Sequence, residues 1–198
     1  MAAILDRLYH LHWVTPELAR SAQPYLGFYG PFLRPHRFQA LINLRGENTG
    51  SGWWHAEKRA AEKLGIAHFD VKLSSRNLPS RANLTALIEA FLAAGTPLLI
   101  KCSGGQDRTG LAAALYLLLQ GGPEALPAAE TQFALWPYLH RPQKFQRWLR
   151  HFPEYAVVDS KGLSFPEWVR LQYRPEEFAA WLKNRGLADS FGALQAAE

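Results

Sequence analysis

Cysteine is nearly missing from this chain: Cys102 is the only one in 198 residues, and methionine is equally scarce, with one. A lone cysteine excludes an internal disulfide. No apolar run reaches the roughly 18 to 20 residues that cross a bilayer. The longest, LAAALYLLL at 111–119, is half that and predicts a buried helix, so no transmembrane segment is expected. Residues 1–20, MAAILDRLYHLHWVTPELAR, lack the basic start and apolar core of a secretory signal, and a reducing, cytoplasmic setting is expected. Internal repeats and low-complexity tracts are absent. The seven histidines, His55, His68 and His140 among them, show no metal-ligand spacing, so neither a metal nor another cofactor is expected. No face interleaves basic and aromatic residues, which argues against a nucleic-acid partner.

What is present is ordinary for one globular domain: 48% hydrophobic residues, 20% charged, 15 glycines and 13 prolines. A monomer is expected. The formal charge of +5 gives a mild attraction to anions and does not choose among phosphorylated substrates, nucleic acid and acidic headgroups.

Along the chain, Leu41–Leu44 reads as a short buried strand followed by a polar loop with Arg45 and Glu47. GWWHAEKRAAEKLG reads as a helix capped by Gly65. IAHFDVKL alternates, with Ala67, Phe69, Val71 and Leu73 as the buried face and Ile66, His68, Asp70 and Lys72 opposite. Ser80 can cap a helix whose apolar positions Leu84, Leu87, Ile88, Phe91 and Leu92 share one face and which stops near Gly95. Pro97–Ile100 is then a strand, KCSGGQDRTG a loop, and an apolar helix runs on to Gly121-Gly122-Pro123. This order predicts an α/β fold with a central, mostly parallel twisted sheet flanked by helices, and a ligand site at the carboxyl end of a strand. After Pro123 come helical pieces separated by prolines, carrying Trp136, Trp148, Trp168 and Trp181 at amphipathic spacing, expected to pack onto the sheet unit. The chain divides into a catalytic unit at 1–150 and a helical C-terminal extension at 151–198 packed on it.

KCSGGQDRTG at 101–110 is the stretch that carries chemistry. Attack on a phosphate ester needs an ionised nucleophile, donors for three non-bridging oxygens and a proton for the leaving oxygen. Cys102, between a strand and a helix N-terminus, meets the first need, because the helix dipole and converging amides favour its thiolate. Gly104 and Gly105 let the backbone curl into an anion nest with Ser103 and Gln106. Arg108 can offer its planar fork to two phosphate oxygens. Thr109 stands where a hydroxyl could bond the cysteine sulfur, and Gly110 permits close packing. Arg and Thr at these offsets from a single cysteine arise by chance on the order of 1% of the time, which weighs against an inert buried cysteine.

The stretch resembles the Cys-x5-Arg-Thr/Ser signature of the cysteine-dependent protein tyrosine and dual-specificity phosphatases, in the variant ending Asp-Arg-Thr-Gly. RSAQP at 20–24, LINLRGE at 41–47, GIAHFDVKLSSRNLPS at 65–80 and PLLIKCSGGQDRTGLAAALYLLL at 97–119 are similar to the compact bacterial dual-specificity-like and Siw14-like members, over about residues 15–125. The resemblance implies a dual-specificity phosphatase-like fold and hydrolysis of a phosphorylated protein or a small phosphorylated molecule, phosphoinositides included, through a phosphocysteine on Cys102. It also implies two departures. Lys101 stands where the family usually has His, keeping a positive charge near the thiolate. The loop that usually supplies the acidic proton donor, here LSSRNLPS, has no carboxylate, only Ser74, Ser75 and Asn77. Asp107 is then the better candidate for the acid, with Asp70 behind it, and each has a structural alternative, Asp107 in orienting Arg108 and Asp70 as a strand aspartate. Arg45 can bind a second acidic group of the substrate or pair with Glu47. Alternatives to an enzyme of this type are a phosphate-binding pseudophosphatase without turnover and a sulfur transferase of the rhodanese type.

Overall fold

The strands β1 (His12–Trp13), β2 (Leu18–Ser21), β3 (Ala40–Asn43), β4 (Ala67–Asp70) and β5 (Leu98–Lys101) form one sheet in the computed structural model, which describes residues 2–194. Their order is β1-β2-β5-β3-β4. Only the β1–β2 pairing is antiparallel, and β5 lies between β2 and β3 with Lys101 in register with Ser21 and Asn43. The expected α/β architecture is therefore present. Parallel neighbours need crossovers, and these are helices: α1 (Ala2–Leu8) precedes the sheet, α2 (Tyr29–Leu33) links β2 to β3, α3 (Gly52–Lys63) links β3 to β4, and α4 (Arg81–Ala93) links β4 to β5. After β5 come α5 (Asp107–Gly121), α6 (Leu126–Thr131), a 3-10 helix at Lys144–His151, α7 (Phe152–Ser160), α8 (Phe165–Leu171) and α9 (Pro175–Asn184).

The helix ends follow from local chemistry. Ser80 caps α4 by accepting from Asn83 N while the Asn83 side chain returns to Ser80 N, at 3.2 and 3.1 Å. Gly65, at φ +68°, closes α3.

Strand alternation sorts the core into two layers. Leu18, Ala40, Ile42, Leu98, Ile100 and Cys102 face α4, α5 and the C-terminal helices. Ala19, Leu41 and Leu99 face α1, α2 and α3. Lys101 is one residue from Cys102 and therefore projects to the opposite side of the sheet from it. The C-terminal helices complete the first layer through interlocked rings, with Phe152 at 5.1 Å from Phe178 and 5.6 Å from Tyr173.

Three sequence expectations need correction. Leu92 is 69% exposed, because the eighth residue after Leu84 has drifted roughly 80° round the helix, past the edge of the core. Ala67 is exposed and Phe69 only half-buried, while Ile66 on the opposite face is buried, because β4 is the sheet's edge and its start is covered on the Ile66 face alone. Trp136 is 80% exposed, since α6 stops at Thr131 and the helical spacing is not realised beyond it. Trp148 and Trp168 are fully buried and Trp181 partly so, as expected. Among the described residues no helix is long and apolar enough to cross a membrane.

Candidate active site

Cys102 directly follows β5 and is 3% exposed; residues 103–106 loop away from it and Asp107 opens α5. Gly105, at φ +69°, is the glycine the loop depends on: a Cβ there would sit 2.6 Å from Ala22 N and 2.8 Å from Ser21 C. Gly104 carries no such constraint, since nothing lies within 4 Å of its hypothetical Cβ.

Arg20, from the fully buried β2, braces the loop from behind. Its Nη2 donates to Gly105 O and Gln106 O at 3.2 and 2.8 Å, and its Nη1 to Gln132 O at 2.9 Å, with the Tyr138 ring 4.1 Å away. Because a trans peptide sets C=O and the next N–H on opposite sides, the amides of Gln106 and Asp107 point away from Arg20. Burial pulls the Arg20 pKa down to about 10, against the fields of Tyr138, Cys102 and Asp107, so it stays charged at neutral pH. Arg108 folds back over the loop and donates from Nη2 to Ser103 Oγ at 2.8 Å. Thr109 is buried beneath, and its Oγ1 has no hydrogen-bond partner.

Lys101 does not lend the cysteine a bare charge. Its Nζ lies on the α3 side, 2.8 Å from Glu57 Oε2 and 2.6 Å from Gln23 Oε1, over the Trp53 ring at 4.6 Å. Burial lowers its pKa to about 8, with Glu57 working the other way. Burial would raise the Glu57 carboxyl, but His68, 3.0 Å from Oε1, and Lys101 outweigh it and hold Glu57 below its ordinary value. Gln23 joins this cluster to the loop: its amide donates to Glu57 and to the Tyr29 hydroxyl, and its N–H to Ser103 O. Arg45 reaches Gln23 Oε1 at 3.4 Å and stacks on Trp53 at 3.8 Å, beside the loop.

The two candidate acids differ in place. Asp70 is in register with Asn43, which is in register with Lys101, so a whole strand separates it from the loop. Its carboxylate is occupied by Asn43 Nδ2 at 2.6 Å and Trp54 Nε1 at 3.0 Å. Asp107 sits on the first turn of α5. Its Oδ2 accepts from Gln146 Nε2 at 2.9 Å, and its Oδ1 is 3.4 Å from His140 Nε2, close enough for an ion pair without hydrogen-bond alignment. Gln146 Nε2 also meets Ser75 Oγ at 3.2 Å, in the loop that lacks an acid. That loop is held from the far side by Gly192 N donating to Arg76 O at 2.7 Å and by Leu78 N donating to Ala193 O at 2.9 Å.

The structure thus brings Cys102, Ser103, Gly105, Gln106, Asp107, Arg108 and Arg45 together and leaves Asp70 outside. Sequence reasoning missed Arg20, Gln23, Glu57, His140 and Gln146. Only Arg20 and Gln23 left a trace, in RSAQP. Among the described residues no cluster of three or more His, Cys, Asp or Glu could hold a metal.

The model of the tyrosine phosphatase family matches residues 34–130, a span that contains β3, β4, β5 and the whole of the Cys102–Arg108 loop. Over residues 34–130 the chain is thus similar to the tyrosine phosphatase family. Solved phosphatases share the fold. A DUF442 phosphatase from Shewanella putrefaciens CN-32 aligns with a TM-score of 0.58 at 18% identity, over 78% of this chain and 97% of that one. TpbA of P. aeruginosa aligns at 0.52 and 17%, over 90% and 94%. The Siw14 catalytic core aligns at 0.53 and 17%, over 89% and 92%. A search of curated proteins by sequence gave no match. The shared fold thus extends past the matched residues into the segment after α6, which supplies His140, and the 3-10 helix, which supplies Gln146.

Proposed function

We propose that this chain hydrolyses phosphate monoesters through a phosphocysteine on Cys102. The observation that carries the reading is the form of the loop: its carbonyls are drawn back onto Arg20, the amides of Gln106 and Asp107 are turned the other way, and Arg108 lies folded over Ser103. That is a cradle for a tetrahedral anion with a cysteine at its base. The Cys102 thiolate attacks phosphorus in line and the bond to the leaving oxygen breaks. Ser103, Gly104, Gly105, Gln106 and Arg108 hold the non-bridging oxygens, and Asp107 protonates the leaving oxygen. Water then attacks phosphorus, the P–S bond breaks, Thr109 Oγ1 bonds the departing thiolate, and Asp107 takes the water's proton.

The substrate is a phosphorylated protein or small phosphorylated molecule. A cysteine-to-serine form of TpbA has been crystallised with phosphotyrosine, which supports a substrate of that kind here. Arg45 on its Trp53 platform suits a second acidic group beside the loop.

The test is vanadate-sensitive hydrolysis of 2,4-dinitrophenyl phosphate, whose leaving group needs no proton. Cys102→Ser should lower turnover on the order of 10⁴-fold or more while phosphate still binds. The rival reading, a phosphate-binding protein without turnover, is favoured by the serine-bearing loop at 74–78. It wins if the intact protein binds phosphate and hydrolyses nothing.

A further inference from the structure

Building on the assignment of Asp107 as proton donor, we propose that His140 is a positioning residue that keeps a transferable proton on Asp107. The His140 side chain is wholly buried. Its Nδ1 lies 3.2 Å from Phe133 O, and its ring packs against Phe133 at 5.3 Å. A carbonyl oxygen can only accept, so the ring hydrogen of neutral His140 is on Nδ1 and Nε2 presents a lone pair. Nε2 lies 3.4 Å from Asp107 Oδ1, and among the described residues no group bonds it. At that contact two acceptors confront each other unless a proton sits between them.

One shared proton satisfies both. On Oδ1 it makes Asp107 a carboxylic acid; on Nε2 it makes an imidazolium paired with a carboxylate. Gln146 Nε2, donating to Oδ2, fixes the plane of the carboxyl group and is itself held by Ser75 Oγ. The acid-free loop therefore anchors the proton donor instead of providing it. Arg20 from β2 couples through its field to both Cys102 and Asp107, and the 3-10 helix contributes neutral Gln146 to the contact. Asp107 keeps a quarter of its side chain open, and the leaving oxygen takes the proton there. When water attacks the phosphocysteine, its proton goes to Asp107 and the pair is recharged, so the cycle balances without a co-reactant.

The experiment compares wild type, His140→Gln, Asp107→Asn and the double variant on phenyl phosphate, which needs an acid, and on 2,4-dinitrophenyl phosphate, which does not. His140→Gln should lower kcat on phenyl phosphate roughly 10- to 100-fold with KM little changed, and leave the dinitrophenyl ester within about 3-fold. Added to Asp107→Asn, the substitution should cost nothing more. His140→Phe keeps the packing on Phe133 and should repeat the selective loss if the Gln variant fails to fold. Equal losses on both esters, or losses that multiply in the double variant, overturn the role of His140 and leave the phosphocysteine reading intact. Turnover that survives Cys102→Ser overturns both.

Discussion

Two polar clusters flank the phosphate loop, and they are built on opposite plans. Behind the sheet, Lys101, Glu57, Gln23, Tyr29 and His68 form a nearly closed set, with Lys101 1% and Glu57 0% exposed, the charges of Lys101 and Glu57 matched at hydrogen-bond distance and His68 Nδ1 alone among them left unbonded. In front, Asp107, His140, Gln146 and Ser75 form an open one, with a nitrogen unbonded, a carboxylate partly in solvent and a contact left at 3.4 Å. A closed network has one low-energy arrangement and holds the loop in place. An open one leaves room for a proton to move. The comparison teaches that charge beside Cys102 is not in itself chemistry: the lysine next to it is tied into the scaffold, while in the proposed mechanism the less charged side handles the proton.

The comparison can be broken most sharply at Glu57. Glu57→Gln strands the buried Lys101 ammonium and should cost about 3 kcal/mol, roughly 6–12 °C in Tm for a chain of this size, with the leaving-group dependence of the surviving activity unchanged. A thermal melt with kinetics on two esters checks both halves, and a selective loss on the poor leaving group would merge the two clusters into one.

Next in size is an acid effect. Glu57 is held below its ordinary 4.5, so its contribution is complete above that value and is lost as pH falls through the folded value. Melting curves for wild type and Glu57→Gln should therefore stay apart at pH 6 and converge below about pH 4.5. Curves that never approach each other as the pH falls below 4.5 would remove Glu57 from the linkage.

The smallest effect is expected in front. Gln146→Leu removes a partly exposed hydrogen bond to a charged group and should cost about 1 kcal/mol or less, near 3 °C in Tm. Its kcat on phenyl phosphate should nonetheless fall several-fold, which differential scanning fluorimetry and steady-state kinetics together would reveal.

The centre of the molecule was readable because its signals are local. Ser80 sits three residues from Asn83, LAAALYLLL is apolar all round and buried nearly all round, and Cys102 and Arg108 share one loop. The periphery was not. β1 and β2 are two and four residues long, and β2 is buried on both faces, so neither alternates. Arg20 is a charge inside a fully buried strand, against every hydropathy rule, and only its bonds to Gly105, Gln106 and Gln132 explain it. Lys101 could be placed by strand alternation, yet its partner Glu57 lies on a different helix, a relation that no periodicity encodes. His140 and Gln146 fall in a segment with neither a motif nor a resemblance, where only the folded chain brings them to Asp107.

The hold of residues 192 and 193 on the loop at 74–78 has a thermodynamic consequence. Gly192 packs close enough that a Cβ would stand 3.1 Å from Asn77 Oδ1, so the strap lies directly on the loop. Ser75, which anchors Gln146, belongs to the strapped segment, and Trp148 Nε1 donates to its carbonyl at 3.2 Å. Opening the strap is a local equilibrium of its own, with a free energy smaller than that of global unfolding. The population in which Gln146 is fully braced against Asp107 is bounded by the population in which the strap is docked, and the protection of the Leu78 amide from exchange reports that bound.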